Sequence, residues 1–376
     1  MINGLGTGGS ERSLAEMLPR LRDEGVEPVI ACLFHRPEGV HASVEAQGFD
    51  IRVLPGPRWV TRARALRQLL RATGPELVHT AIFESDTLGR WAARRTPAPV
   101  LTSLVNTSYG PARRADPNVR AWRLQAVRAV DGWTARHLTA HFHAVTAAVK
   151  AAAVEALHIP ADRVAVIERG RDPERLGRPG LERRARVRAA LGLADDDEVI
   201  LSVGRQEYQK AQQDLLDAIA VVAARRPRAV LLIAGRDGNA SAALVRQHAR
   251  SPAAGRIRFL GHRDDVPDLL AAADVFAFPS LYEGTGGAVI EAMGLGLPIV
   301  TSDIAAMREV VDAGRNALLV PPHAPGPLAD AVVALLEDPA RRLAFGARSR
   351  EIFEARFTLE RSTRRMVELY GRVIGG

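Results

Sequence analysis

The sequence predicts two α/β domains, each wound around a parallel sheet, and three observations carry that prediction. A chain of 376 residues suits two cores at ~100 to 200 residues per domain. Short apolar runs rich in branched residues alternate with longer amphipathic stretches from one end to the other. The rhythm lapses once, in the turn-rich, charged stretch from Glu168 to Gly180, and then restarts. The expected division is 1–172 and 173–357, two Rossmann-like doubly wound domains facing each other across a cleft.

Taken in order, the strand-like runs of the first half are 29–34, 51–54, 77–80, 100–105, 142–146 and 164–167. Those of the second half are 199–203, 230–234, 257–260, 275–279, 298–301 and 317–320. Helical patterns fall between them at 10–24, 62–73, 146–157, 211–225, 265–273, 286–294 and 326–337, and the segment from Phe357 to Ile374 is helical again. Only two or three residues precede Gly4, so the first strand of the N-terminal domain is expected to be short or missing. Either the true start codon lies upstream or the sheet lacks most of that strand.

An apolar content of 47% with 25% charged residues is the mix of a globular chain and excludes disordered, collagen-like and disulfide-scaffold classes. The single cysteine, Cys32, sits in the apolar run Val29 to Phe34. It reads as a small buried hydrophobe in a reducing compartment. No window reaches the ~18 to 20 uninterrupted apolar residues of a membrane span, and no charged leader precedes an apolar stretch. A cytoplasmic location is therefore expected, with peripheral contact at the inner face of the membrane as its extension.

The net charge of +8 is uneven, since the first 180 residues carry +7 of it. In 62–73, Arg64, Arg67 and Arg71 form one stripe while Leu66, Leu69 and Leu70 form another. Arg113, Arg114, Arg120, Arg123 and Arg128 follow, with Trp122 among them. Such a face suits anionic lipid or a phosphate-bearing acceptor, and it equally suits plain solvation. Nucleic acid is not an expected partner, because no recognised module or stacking platform accompanies the charge.

Gly4, Gly6 and Gly9 fit G-x-G-x-x-G, but the full preceding strand and the acidic residue at the next strand tip are both missing, which argues against a nicotinamide cofactor. A glycine loop opening a helix still suits phosphate, and a tight turn is the simpler reading. In the second half, Gly204-Arg205 ends one strand-like run and Lys210 follows, two cations suited to a diphosphate. Glu283 falls in the loop after 275–279, and Glu291 lies in the helix that Gly286 or Gly287 opens. Two carboxylates around such a loop suit vicinal hydroxyls of a ribose and a sugar. A hydrolase acid/base couple is the alternative. In Phe259-Leu260-Gly261-His262-Arg263-Asp264-Asp265, the loop could present backbone groups to a base, with Asp264 or Asp265 as an N-cap. No His/Asp cluster has metal-ligand spacing.

The order Gly8-Gly9-Ser10-Glu11, Val203-Gly204-Arg205 with Lys210, Ala234-Gly235, Phe259-Leu260-Gly261, Pro279-Ser280 with Glu283-Gly284, and Glu291-Ala292-Met293 with Gly296-Leu297-Pro298 resembles the retaining GT-B glycosyltransferases of family 4. The resemblance spans nearly the whole chain. It implies a GT-B fold whose terminal helix, 358–376, crosses back onto the first domain. It also implies a nucleotide-sugar donor, UDP- or GDP-linked, as co-substrate with no cofactor and no metal. Arg205 and Lys210 would neutralise the diphosphate, Glu291 would hold the ribose, and Glu283 with Gly284, Thr285, Gly286 and Gly287 would hold the sugar. Gly8 and Gly9 would close on the phosphates, and Gly204 and Gly261 would line the donor. Front-face attack with retention would pass the acceptor proton to a donor phosphate oxygen.

Four positions depart from the family pattern. Ala211 stands where glycine usually follows the Lys, Glu168-Arg169 replace Pro-Asn, and Asn106 stands where many members carry a His. Asn106 cannot carry a proton, so His79 is the candidate to share that task. The expected activity is sugar transfer to an acceptor hydroxyl, lipid-linked or saccharide, in polysaccharide, glycolipid or glycoconjugate synthesis. The rivals are another GT-B enzyme such as a nucleotide-sugar epimerase or hydrolase, and an inactive membrane-surface or partner-binding homologue.

Overall fold

The computed structural model describes residues 1–375 and divides into two compact units, Met1–Arg171 with the segment from Thr358, and Asp172–Phe357. Every strand pairing in both is parallel, as the alternation of apolar runs and helical stretches requires. In the first unit β1 (Val29–Cys32) pairs with β2 (Asp50–Val53), while β3 (Val78–Ala81), β4 (Val100–Leu104), β5 (His141–Ala144) and β6 (Val164–Val166) form a second sheet in that order.

Met1 and Ile2 lie between the two. The Ile2 N–H donates to the Ala31 carbonyl at 3.0 Å, and the Met1 carbonyl accepts from the Ala81 N–H at 3.1 Å. An isolated parallel bridge joins Ile2 to Cys32. The expected short first strand is thus a stub of one bridged residue. Cys32 beside it is fully buried, and burial pushes its thiol up to about 11.

The second unit holds one sheet of six strands: β7 (Glu198–Val203), β8 (Ala229–Ala234), β9 (Ile257–Gly261), β10 (Val275–Phe278), β11 (Ile299–Ser302) and β12 (Ala317–Val320). Their spatial order is β12-β11-β10-β7-β8-β9. All six residues of β8 are buried, the continuous apolar strand expected where helices cover both faces. The order runs outward in opposite directions from the β7–β10 pair, which makes that pair the topological switch point where open α/β sheets bind ligands.

The helix Leu359–Gly375 returns to the first unit and buries Met366, Leu369 and Val373 against Leu101 and Ile167. Its apolar residues at i, i+3 and i+7 face that core, Arg361, Arg364 and Arg372 face solvent, and the half-buried Arg365 donates to the Val166 carbonyl at 2.8 Å. The helix Ala121–Leu138 is fixed differently. Its Asp131 carboxylate accepts from the fully buried Arg90 guanidinium at 2.6 Å and from the Tyr109 hydroxyl at 2.7 Å. Burial is the first cause that raises the neighbouring Asp86 to about 6. Among the described residues no helix is long and apolar enough to cross a membrane.

Candidate functional site

The carboxyl ends of β7, β8 and β9 are knitted together by their backbones. The Gly204 N–H donates to the Ala234 carbonyl at 2.9 Å, and the Gly235 N–H donates to the Gly261 carbonyl at 2.7 Å. Gly235 has to be glycine, because a Cβ there would stand 2.0 Å from the Gly204 carbonyl oxygen. Gly204 and Gly261 therefore flank Gly235 at the ends of three neighbouring strands, with Arg205 on the rim. Arg205 is exposed and pairs with Glu207 at 2.6 Å.

From there the chain turns through the 3₁₀ segment Tyr208–Lys210, and Ala211 follows in the left-handed region at φ 46°. This position explains the usual glycine of the family. An alanine pays a strain of roughly 1 to 2 kcal/mol in that conformation, and Ala211 is nevertheless fully enclosed.

The turn docks directly on the loop that follows β10. The Leu281 N–H donates to the Gln209 carbonyl at 2.8 Å, and Gln209 Nε2 donates to the Tyr282 carbonyl at 2.7 Å. Gln209 also reaches Glu283 Oε1 at 3.3 Å, and the Lys210 ammonium forms an ion pair with that same oxygen. Lys210 Nζ lies 4.8 Å from the centre of the Phe278 ring, which adds a cation–π contact. Glu283 is 7% exposed, so the pair is largely desolvated.

Gly284 and Thr285 are buried beyond it, and Gly286 turns at φ 68° to open the helix Gly287–Gly294. A side chain at Gly286 would be strained and would meet Met307 at 3.0 Å, so the loop closes tightly on the helix start. Glu291, 3% exposed, extends from this helix to the Arg175 guanidinium at 3.2 Å.

The second unit thus brings Lys210 and Glu283 into contact at the switch point, with Gly286 and Gly287 following in the same loop. Arg175 escapes sequence reasoning, because it lies in the boundary stretch with no motif and 116 residues from its partner. One expectation is corrected. Asp265 stands at the N-cap position of the helix Val266–Ala272, but its side chain makes no cap. The Arg263 guanidinium takes both carboxylate oxygens in a fork, at 2.7 and 2.5 Å, and holds the carboxyl below its ordinary value. A forked ion pair outcompetes a single backbone N–H for the same oxygens. Asp264 instead meets His262 Nε2 at 3.3 Å.

The candidates of the first unit lie in other surroundings. Gly8 is the N-cap of the helix Gly9–Asp23, with the Glu11 carboxylate folded toward it. Arg169 donates to Ser10 Oγ at 3.0 Å, beside Gly9. Asn106 follows β4, half-buried, and its Oδ1 accepts from the Thr107 N–H at 2.8 Å.

His79 is in β3 with both ring nitrogens engaged, Nδ1 with the Tyr370 hydroxyl and Nε2 with Ser103 Oγ, each at 2.8 Å. Ser103 Oγ also meets His143 Nδ1 at 2.8 Å, and His143 Nε2 meets the Ile167 carbonyl at 2.8 Å. The terminal carbonyl can only accept, which fixes every proton in the row. His143 donates from Nε2, Ser103 donates to His143, His79 donates from Nε2, and Tyr370 donates to His79. Burial holds His79 well below its ordinary value and His143 at about 4, so both rings are neutral. With no nitrogen to spare, His79 ties the last helix to the sheet, and the acid/base task expected of it has no free atom to act through.

Comparison with known proteins identifies the family and the fold. Residues 7–175 match the family described as Glycosyltransferase Family 4, and residues 197–338 match Glycosyl transferases group 1. A D-inositol 3-phosphate glycosyltransferase of Nocardia farcinica is 31% identical over 321 residues, 81% of this chain and 68% of that one. The enzyme named D-inositol 3-phosphate glycosyltransferase 2 in Catenulispora acidiphila is 34% identical over 222 residues, 56% of this chain and 51% of that one. Over the best-matching segments, the chain spans about half the length of the curated relatives it matches. The crystal structure of Anabaena Alr3699/HepE, solved with UDP and glucose, shares the fold at a TM-score of 0.87 and 22% identity over 98% of both chains. Both sequence-family matches, the Nocardia relative and the parallel architecture of the two units agree that the chain belongs to glycosyltransferase family 4, within the GT-B fold.

Proposed function

We propose that the chain transfers a sugar from a nucleoside diphosphate donor, with UDP or GDP as the nucleotide, to an acceptor hydroxyl with retention of configuration and without a metal ion. The observation that carries this reading is the buried Lys210–Glu283 contact at the switch point of the six-stranded sheet, followed in the same loop by the helix start at Gly286 and Gly287. A donor diphosphate offers Lys210 a stronger partner than Glu283. When the phosphate takes the ammonium, Glu283 is released to accept from sugar hydroxyls, and the Gly287–Gly294 helix start adds N–H donors to the anion. Arg205 on the rim supplies the forked second cation. Glu291 accepts from the ribose hydroxyls, with Arg175 holding its carboxylate in place.

In the reaction the bond from the anomeric carbon to the diphosphate oxygen breaks, and the acceptor oxygen forms its bond on the same face. The acceptor proton passes to the departing diphosphate, whose charge Lys210 and Arg205 stabilise. Support for a nucleotide-sugar donor also comes from the UDP and glucose held by HepE. Support for a polyol or saccharide acceptor comes from the inositol phosphate enzymes and from a Rhizobium meliloti relative named as a lipopolysaccharide core mannosyltransferase. The buried single cysteine favours a reducing, cytoplasmic setting.

Thermal shift against a panel of nucleoside diphosphates tests the donor, and product analysis with a labelled nucleotide sugar tests the reaction. Stabilisation by one nucleotide that disappears in Glu291→Ala is the expected result. No stabilisation by any of them refutes the reading, and free sugar without transfer to any offered acceptor turns it toward a hydrolase. Activity unchanged by a chelator checks the metal-free mechanism.

A further inference from the structure

The helix Ala121–Leu138 is apolar on two opposite sides. Its inner side carries Leu124, Val127, Ala135 and the Asp131 that binds Arg90. At 100° per residue, Trp122, Ala126, Ala129, Val130 and Trp133 fall within one stripe on the outer side. That stripe is open to solvent, with Trp122 65%, Val130 51% and Trp133 48% exposed. A surface helix normally turns polar residues outward, so an outer stripe with two tryptophans three turns apart needs an apolar or interfacial neighbour.

The charge around the stripe indicates which neighbour. Between Pro111 and Leu138 the chain has six arginines, at 113, 114, 120, 123, 128 and 136. Its two acidic residues there, Asp116 and Asp131, are both buried at 2% and 7% exposure. Arg123 leans over the Trp122 ring at 5.2 Å, and Trp133 packs beside His137 at 5.3 Å. Indole rings with an apolar body and one N–H belong at the boundary between headgroups and acyl chains, and guanidinium groups beside them belong on lipid phosphates.

We propose that the outer face of the helix Ala121–Leu138 is a docking surface for an anionic lipid bilayer, with Trp122, Val130 and Trp133 entering the interface and Arg113, Arg114, Arg120 and Arg123 on the headgroups. The helix Trp59–Thr73, which carries the arginine stripe read from 62–73, exposes Trp59 and Val60 only in its first turn, and its leucines turn inward, so no apolar row runs along its outer face. The inference does not depend on the donor chemistry, because lipid binding is measured without turnover.

The test is co-sedimentation of the full chain with vesicles of phosphatidylcholine alone or with about one third phosphatidylglycerol. Binding to the anionic vesicles only, weakened about tenfold or more in Trp122→Ala/Trp133→Ala and weakened by added salt, is the expected result. An unchanged melting temperature and unchanged nucleotide binding in that variant show that it still folds. A second variant, Arg120→Gln/Arg123→Gln, should lower binding while leaving the tryptophans in place. The proposal is overturned if the wild type ignores anionic vesicles, if the tryptophan variant binds them as well as wild type, or if neutral vesicles bind equally. It is also overturned if the tryptophans govern only a self-association seen in sedimentation velocity, which would make the stripe a contact between two copies.

Discussion

The two units use their polar side chains in opposite ways. In the first, Arg90, Asp131, His79, Ser103 and His143 lie within the fold and bond to one another, so their chemistry is spent on holding helices to strands. In the second, Arg205, Lys210, Glu283 and Glu291 lie in loops and a helix that follow the strand ends, each matched with an opposite charge that a ligand could replace. Pairs of a cation and a carboxylate hold the fold in one place and stand where a ligand could exchange them in the other. What separates them is position: the first set ties helices to the strands of its sheet, and the second follows the strand ends around the switch point.

The comparison can be broken by mutation. The largest effect is expected from Arg90→Ala, which leaves the buried Asp131 without its cation. A loss of about 4 kcal/mol in urea unfolding is expected, and a loss below 1 kcal/mol would remove the distinction between the units.

Acid should act next on the same unit. His143 has its folded pKa depressed to about 4 by burial, so the unfolded chain takes up protons first as the pH falls. The stability that the neutral ring contributes is complete above about pH 6.5 and drains away between 6.5 and 4, by about 3 kcal/mol in all. Unfolding curves across that range should be flatter for His143→Gln.

In the second unit, Lys210→Ala should weaken nucleoside diphosphate binding about hundredfold, or roughly 2 to 3 kcal/mol by calorimetry. Nucleotide binding equal to wild type would return Lys210 to the structural class. The smallest change is expected from Ala211→Gly, which relieves the left-handed alanine and should raise stability by about 1 kcal/mol.

Much of this was legible in the sequence. Every strand-like run is a strand to within one or two residues at most of its ends, most plainly where a parallel strand is buried on both faces, as in β8, and least so in the largely exposed β2. Lys210 and Glu283 each stand out in the sequence as part of a separate motif after a strand-like run, and only the strand order makes them neighbours. Other features had no local signal. Arg175 meets Glu291, Arg169 meets Ser10, and His79 meets Tyr370 across separations of 116, 159 and 291 residues. The helix Ala121–Leu138 also gave no helical pattern, since residues apolar on both faces erase the periodicity that identifies an amphipathic helix.

The connection between the units has a consequence for how the protein is made. The chain leaves the first unit after Arg171 and re-enters it at Thr358, and these two residues are bridged to each other. The second unit is therefore an insertion whose two ends join the first at one point. During synthesis it can finish folding while the first unit still waits for Met366, Leu369 and Val373 to cover Leu101 and Ile167. Until that helix emerges, part of the first core stays open, so the older half of the chain matures last.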